Sequence, residues 1–483
     1  MNARFAPGVT IDGFTLGGRV HAGAMGDLYQ VTHPQHAVSM LMKVPRFRTG
    51  DSIENLLCYE TEAMILPELT GEHVPRLIAA GDLTHTPYLV MEFVDGENLD
   101  STLKRGALPA EEVARVGAAI ADALHTVHRQ GVIHLDLKPD NTIVRPDGAV
   151  TLIDFGLSHH ARLPDLLAEE KRYAAGSAPY VSPEQVEGSR ADPRSDLFAL
   201  GVVLYEMATA ELPFGIPDTM AGLSDRLWRD PKPPRARVAT VPPWLQEIIL
   251  RCLEIDAAFR YQTAAHVAFD LRHPAQVPLT SRADKLEQAG FVAQLGRWWR
   301  ARERDPARSL RARGLQHSTP VIIVAIDTSH PDDERHAAIR RVTEHMLAVS
   351  AEFRLVCVSV IDIYAAAPDN MAPGESSDVH LEHLIRLRHW VDPLKLPPNR
   401  LSLHVIESTS PSATLLDFAR RNHADLIIIG APGPAQRGMA WWRSVASSVT
   451  ANAPCSVHVV RVPARSEQQT TEDETFSLED LPQ

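Results

Sequence analysis

Two short acidic loops constrain this 483-residue chain more than any other feature. The first, His134-Leu135-Asp136-Leu137-Lys138-Pro139-Asp140-Asn141, follows the apolar pair Val132–Ile133. The second, Asp154-Phe155-Gly156, follows Thr151-Leu152-Ile153 and begins thirteen residues after Asn141. Phosphoryl transfer to a hydroxyl needs few protein groups. One carboxylate accepts or orients the hydroxyl proton, and a second carboxylate with a neutral amide oxygen holds magnesium against the phosphates. A cation neutralises the migrating charge. Asp136, Asp154, Asn141 and Lys138 supply these four roles on two adjacent loops.

The surrounding pattern divides the chain. Residues 11–95 read as strand-rich, interrupted by one helical stretch from Glu54 to Leu69. Residues 96–272 read as mostly helical. From Pro109 to Gln130, for example, Val113, Val116, Ile120, Leu124 and Val127 recur at helical spacing. Residues 273–317 carry nine basic and four acidic residues together with Phe291, Leu295, Trp298 and Trp299. That composition fits a basic amphipathic linker, either packed on a neighbouring domain or laid on a membrane surface. From 318 to 463 strands alternate with helices. Val321–Ile326, Leu355–Ile361, Leu401–Glu407, Leu426–Gly430 and Val457–Val462 are the strands, and Arg335–Ser350, Thr414–Asn422 and Ser444–Ala453 the helices. Alternation of this kind predicts an α/β parallel sheet. Residues 464–483 are acidic and polar and read as a disordered tail.

The acidic loops resemble the catalytic and metal-binding loops of eukaryotic-type (Hanks-type) protein kinases. Other pieces follow in the same order. Met40-Leu41-Met42-Lys43 resembles the strand with the phosphate-binding lysine, and Glu62 stands where the family's helix glutamate pairs with it, with Glu60 the near alternative. Leu89-Val90-Met91-Glu92-Phe93 resembles the hinge whose backbone contacts adenine. Gly176 to Glu184 resembles the end of the activation segment, and Asp196 and Arg260 match a structural aspartate and the arginine that pairs with Glu184. The resemblance spans residues 11–272, with the small lobe ending near 95. It implies an α+β bilobal protein-kinase fold and a serine/threonine kinase that moves the ATP γ-phosphate to protein substrates. Asp136, Lys138 and Asn141 would be catalytic. Gly23, Gly26, Lys43, Glu62, Glu92, Phe93 and Asp154 would bind ATP, with Asn141 and Asp154 holding Mg²⁺, or Mn²⁺ in its place. Lys138, two residues after Asp136, matches the serine/threonine pattern. The alternative is a weak or inactive ATP-binding scaffold; the presence of Lys43, Glu62, Asp136, Asn141 and Asp154 together favours the enzyme.

Three positions depart from the family pattern. His21 replaces the first glycine of the phosphate loop, and Leu28 replaces its valine. Leu135 replaces the arginine that, in many kinases, grips a phosphate on the activation loop. Between Asp154 and Glu184 the hydroxyls are Ser158, Tyr173, Ser177, Tyr180 and Ser182. The expectation is activity that does not depend on phosphorylation of this loop.

Residues 318–463 are similar to the universal stress protein family, through Asp425-Leu426-Ile427-Ile428-Ile429-Gly430, Ser444-Val445-Ala446 and Ala453-Pro454-Cys455-Ser456-Val457. The resemblance implies a Rossmann-like sheet and a second nucleotide site at Asp327, Gly430, Gly433, Arg443 and Ser444. Arg443 stands where ATP-binding members have a third glycine, so ATP binding and a packing or dimerising role both remain open. Ser444 reads as a phosphate donor or as a helix N-cap. A homodimer through this domain is the family-level expectation.

Composition narrows the rest. The net charge of −13 argues against a general nucleic-acid binder, which needs clustered cations. No apolar run approaches the roughly 20 residues of a membrane span, and residues 1–7 hold no apolar leader. Four widely spaced cysteines, with no Cys-x-x-Cys pair, fit a reducing compartment. Cytoplasmic localisation is the expectation.

Overall fold

A computed structural model describes residues 5–23, 26–46, 53–81, 86–170, 176–217, 219–288, 320–329, 333–349, 353–362, 376–431 and 440–461. The chain forms two compact units, one built mainly from residues up to 318 and one from residue 319 onward.

The first unit begins with a six-stranded antiparallel sheet in the order β1-β2-β3-β4-β6-β5. Its strands are β1 (Thr10–Ile11), β2 (Phe14–Ala22), β3 (Gly26–His33), β4 (His36–Pro45), β5 (Leu77–Ala80) and β6 (Leu89–Glu92), and helix α1 (Ile53–Ile65) follows β4. In β4 the side chains of Met40, Met42 and Val44 are buried, with Leu41 and Lys43 between them. Successive strand residues face opposite sides. Burying Met40, Met42 and Val44 with Phe14, Leu16, Tyr29 and Val31 therefore turns Lys43 to the other face.

The larger part of this unit is helical. Strand β7 (Glu97–Asn98) leads into α2 (Leu99–Leu103) and α3 (Ala110–Arg129). The apolar stripe Val113, Val116, Ile120, Leu124 and Val127 is buried as the spacing predicts. Strands β8 (Val132–Ile133), β9 (Thr142–Val144), β10 (Val150–Leu152) and β11 (His159–His160) carry the acidic loops between them. They are followed by α4 (Leu166–Glu170), α5 (Pro183–Val186), α6 (Arg194–Thr209), α7 (Met220–Ser224), α8 (Pro234–Arg237), α9 (Pro243–Cys252) and α10 (Ala264–Arg272). Helix α6 is buried along most of its length, which makes it the post on which the loops are mounted.

The unit runs past residue 272, where the sequence placed the start of the linker. Residues 278–288 are irregular and are bonded to α9 and the chain before it. Thr280 and Arg282 bond Glu247, Arg282 also bonds Glu254, and Lys285 bonds Asp230. Phe291, Leu295, Trp298 and Trp299 and the tail 464–483 lie outside the described residues.

The second unit is a five-stranded parallel sheet in the order β14-β13-β12-β15-β16. Its strands are β12 (Val321–Ala325), β13 (Arg354–Asp362), β14 (Leu401–Ser408), β15 (Leu426–Ala431) and β16 (Ser456–Arg461). The helices between them are α11 (Asp333–Val349), α12 (Ser376–Val391), α13 (Pro411–Arg421) and α14 (Ala440–Asn452). Each predicted strand is present within about a residue or two, as boundary uncertainty allows. Helix α12 escaped sequence reading because its buried Leu384, Leu387, Trp390 and Val391 are diluted by histidines and arginines.

All four cysteines are free. Burial pushes the thiols of Cys58 and Cys252 up to about 12, which fits packing roles.

Arg260 and Glu184 form a buried two-pronged ion pair at 2.7 and 2.8 Å. Arg260→Met leaves an unpaired buried carboxylate and is expected to cost about 3–5 kcal/mol, whereas the double variant Arg260→Met/Glu184→Leu recovers most of it. Urea unfolding followed by tryptophan fluorescence measures both, and equal losses in the single and double variants would contradict the pairing argument.

Candidate active site

Lys43, fixed by the alternation of β4, lies between two carboxylates. Its Nζ donates to Glu62 Oε2 at 2.6 Å and to Asp154 Oδ1 at 2.9 Å. Glu62 sits on α1, Lys43 on β4 and Asp154 on the second acidic loop, so one ammonium group joins three separate elements. Burial alone would lower the Lys43 pKa; Asp154 and Glu62 outweigh it and hold the ammonium above its ordinary value. Burial raises the Glu62 carboxyl, while Lys43 keeps the Asp154 carboxyl below its ordinary value despite its burial. Between the sequence alternatives, Glu62 is the partner that reaches Lys43.

Asp154 has a backbone φ of 67° and Leu135, beside Asp136, one of 60°. Such left-handed conformations cost non-glycine residues free energy, and they persist where surrounding contacts over-determine them. Asp196, at the first turn of α6, supplies those contacts for the first loop. It accepts the amides of His134 and Leu135, both at 2.8 Å, and a 2.7 Å hydrogen bond from the His128 ring. Burial alone would raise the Asp196 carboxyl, and His128 with these neighbours holds it below its ordinary value. The His134 ring then lies 5.0 Å from the Phe155 ring and bonds Ile153 O, linking the two acidic loops.

Asp136 is 4 % exposed, and both of its oxygens are engaged. Oδ2 accepts from Lys138 Nζ and from Asn141 Nδ2, each at 3.0 Å, and Oδ1 accepts from the Ser177 amide at 2.8 Å. Asn141 Nδ2 also donates to Asp136 O at 2.9 Å. With its NH₂ turned to Asp136, the Asn141 amide oxygen faces the other way as a neutral donor atom. An amide oxygen and a carboxylate such as that of Asp154 are both hard oxygen ligands, the kind that suits Mg²⁺.

Sequence reading placed Ser177 in the substrate-positioning segment but did not include it in the site. Its Oγ accepts from Lys138 Nζ at 2.7 Å while its amide holds Asp136, so it bridges two site residues. The signal available in the sequence was its place at the start of the Gly176–Glu184 segment.

Gly23 and Gly26 close the β2–β3 turn through a 2.9 Å hydrogen bond from the Gly23 amide to Gly26 O. A Cβ on Gly26 would stand 2.6 Å from Val44 O, so the position admits only glycine. The phosphate-loop residues Ala24 and Met25 lie outside the described residues. At the hinge, the Phe93 amide already donates to Ser39 O at 2.8 Å and the Glu92 amide to Arg76 O at 3.0 Å. Both amides are thus used by neighbouring strands and the chain beside them.

An ion-pair cluster holds the described residues that follow Asp154-Phe155-Gly156. Arg190 donates to both oxygens of Asp165, the nearer at 2.9 Å, and to Leu157 O at 2.9 Å. His159 adds a 3.0 Å hydrogen bond to Asp165. Leu166 and Leu167 of α4 pack on Leu57 and Cys58 of α1, the helix that carries Glu62. Tyr173 lies outside the described residues.

In the second unit, the sheet order reverses between β12 and β15, and ligands of such sheets sit at that switch point. The register Ala325↔Ile429 brings Asp327 and Gly430 to this same carboxyl edge. A Cβ on Gly430 would meet the Arg335 side chain at 2.8 Å, so the stem of Arg335 crosses the strand end. Ser444 is not a helix N-cap. Helix α14 begins at Ala440, which puts Arg443 and Ser444 inside its first turns. Gly433 lies outside the described residues.

The family model of the protein kinase domain matches residues 14–270, more than half of the chain. The chain belongs to the protein kinase family. The universal stress protein family model matches residues 319–461, so the chain also carries a universal stress protein domain. Among curated relatives, a probable serine/threonine-protein kinase of Clostridium perfringens is 30% identical over 55% of this chain and 39% of its own length. Serine/threonine-protein kinase PknB of Mycolicibacterium smegmatis is 37% identical over 40% of this chain and 31% of its own. The chain thus spans well under half the length of these relatives. The crystal structure of the Mycobacterium tuberculosis PknI kinase domain aligns with 56% of this chain and 99% of its own, at 23% identity and a TM-score of 0.45. Among the described residues, no helix is long and apolar enough to cross a membrane.

The Asp165 clamp gives the protein an acid-side signature. Burial alone would raise the Asp165 carboxyl, but Arg190 and His159 hold it well below its ordinary 3.8. A depressed carboxyl adds stability that is fully present above pH 3.8 and fades as pH falls toward the folded value. The melting-temperature gap between wild type and Asp165→Asn is expected to be large at pH 6 and to narrow by pH 3. A gap independent of pH would contradict the assignment.

Proposed function

We propose that this chain is a serine/threonine protein kinase that moves the γ-phosphoryl group of ATP to hydroxyls of protein substrates. The observation that carries the reading is the convergence of Lys43, Glu62 and Asp154 at hydrogen-bond distance, with Asp136, Lys138 and Asn141 bonded to one another on the adjoining loop. Lys43, charged and held by two carboxylates, meets the phosphate oxygens of ATP. Glu62 fixes its direction. The carbonyls of the Glu92–Phe93 hinge face adenine, and Gly23 and Gly26 let the β2–β3 turn approach the phosphates.

Asn141 and Asp154 hold Mg²⁺, or Mn²⁺, which when bound neutralises charge on the phosphates. Asp136 orients the acceptor hydroxyl and takes its proton as the oxygen bonds phosphorus and the bond to ADP breaks. Lys138, a point charge already directed into this site, stabilises the phosphoryl group in transit. Ser177 holds Asp136 and Lys138 at the spacing these two tasks require. The weak or inactive scaffold is the less supported reading, because each of these side chains is present and engaged.

Leu135 offers no cation to a phosphorylated loop, and Asp165 with Arg190 supplies a permanent ion pair in the activation segment. Both support activity without activation-loop phosphorylation. The universal stress protein domain, at residues 318–463, senses a nucleotide or stress state, or pairs with a second copy. Sedimentation showing a monomer at all concentrations would remove the pairing. We place the kinase domain from residue 11 to about 288 on the strength of the bonds around Glu247.

Transfer of labelled phosphate from ATP to myelin basic protein is expected for wild type and to fall by roughly a hundredfold or more in Asp136→Asn. Equal transfer by both proteins, or transfer by neither, would remove the enzyme reading. Phosphatase-treated wild type is expected to keep most of its activity, and complete loss would contradict the loop argument.

A further inference from the structure

Arg226 carries a buried charge that, among the described residues, makes no ion pair. It lies on the short turn of helix Asp225–Leu227 after α7 and is 0 % exposed. One terminal nitrogen donates to two carbonyls at once, Ala178 O at 2.8 Å and Val181 O at 2.5 Å. Its Nε and second terminal nitrogen have no hydrogen-bond partner. Among the described residues no carboxylate forms an ion pair with it, and neighbouring Asp225 pairs with Arg229 instead. Its guanidinium carbon lies 5.7 Å from the centre of the Phe214 ring.

An uncompensated buried cation costs free energy, as does each buried donor left unbonded. A neutral amide could satisfy a carbonyl at lower cost. A glutamine nitrogen also has two hydrogens; what the guanidinium adds is the longer reach needed to bring one such nitrogen to both carbonyls, and a positive charge that strengthens each bond.

Those carbonyls lie in the stretch whose two ends are otherwise fixed. Ser177 is bonded to Asp136 and Lys138 on one side. On the other, Gln185 bonds Leu135 O at 2.9 Å and Glu184 bonds Arg260. Between them the Tyr180 hydroxyl donates to Glu206 at 2.7 Å, and Arg226 holds the backbone itself.

We infer that Arg226 is a positioning residue for the protein substrate: it sets the path of Ala178–Val181, the strip against which the acceptor polypeptide lies, and through Ser177 the direction of Asp136. This rests on the kinase reading above. Among the described residues the hydrogen bonds of Arg226 go to Ala178 and Val181 and none to the Lys43 cluster, so its effect is expected on the protein substrate.

The test uses the full chain with Arg226→Gln and Arg226→Lys, ATP and myelin basic protein. In Arg226→Gln the KM for myelin basic protein is expected to rise at least fivefold while the KM for ATP stays within twofold. Arg226→Lys, which keeps the charge and several donors but loses the fork, is expected to fall between. Amide hydrogen exchange gives a readout that needs no activity: residues 178–182 are expected to exchange at least tenfold faster in Arg226→Gln, with residues 40–46 and 54–65 unchanged. Equal rises in both KM values, or unchanged exchange at 178–182, would overturn the inference. Wild type that transfers no phosphate would overturn the kinase reading instead, and hydrogen exchange would then decide the role of Arg226 in holding the strip.

Discussion

The first unit depends on one ammonium group. Lys43 Nζ bonds Glu62 and Asp154, so the sheet, helix α1 and the second acidic loop must all be in place before the group is satisfied. If any one of the three moves, buried carboxylates or the ammonium lose their partner, which is expensive in a low-dielectric setting. This is why the site behaves as a unit, and why an apolar contact between α4 and α1 bears on chemistry: Leu166 and Leu167 press on the helix that holds Glu62.

A second set of constraints radiates from α6. Asp196 at its start holds the first acidic loop, and Glu206 toward its end bonds Tyr180. Ser195, also on α6, bonds Glu184 at 2.8 Å beside the Arg260 pair. One buried helix thereby fixes the loop that carries Asp136 and the segment that approaches it from the substrate side. Arg190 on Asp165 and Arg226 on Ala178 and Val181 complete the fastening.

Much of the site was legible because its residues are contiguous in sequence. Asp136, Lys138 and Asn141 fall within six residues, and Asp154 follows a buried strand. Local strings of this kind fold as loops whose composition states their chemistry. Glu62 was legible only to within one helical step of Glu60, because which side of a helix faces inward depends on what packs against it. Arg226 and Ser177 gave weaker signals, since each matters through a contact with a segment about 40 to 50 residues away. Helix α12 and the stretch 278–288 were missed for a related reason: their polar residues are held by tertiary partners rather than by a clean apolar period.

The sequence by itself determined the chemistry on offer, the order of the elements and the parallel sheet of the second unit, because these follow from residue type and short-range periodicity. Only the tertiary structure decided which glutamate meets Lys43, which way the Asn141 amide turns, that Ser444 lies inside a helix rather than capping it, and that a buried arginine bonds the carbonyls of Ala178 and Val181. Those outcomes rest on directions and distances between residues far apart in the chain, and no local pattern encodes them.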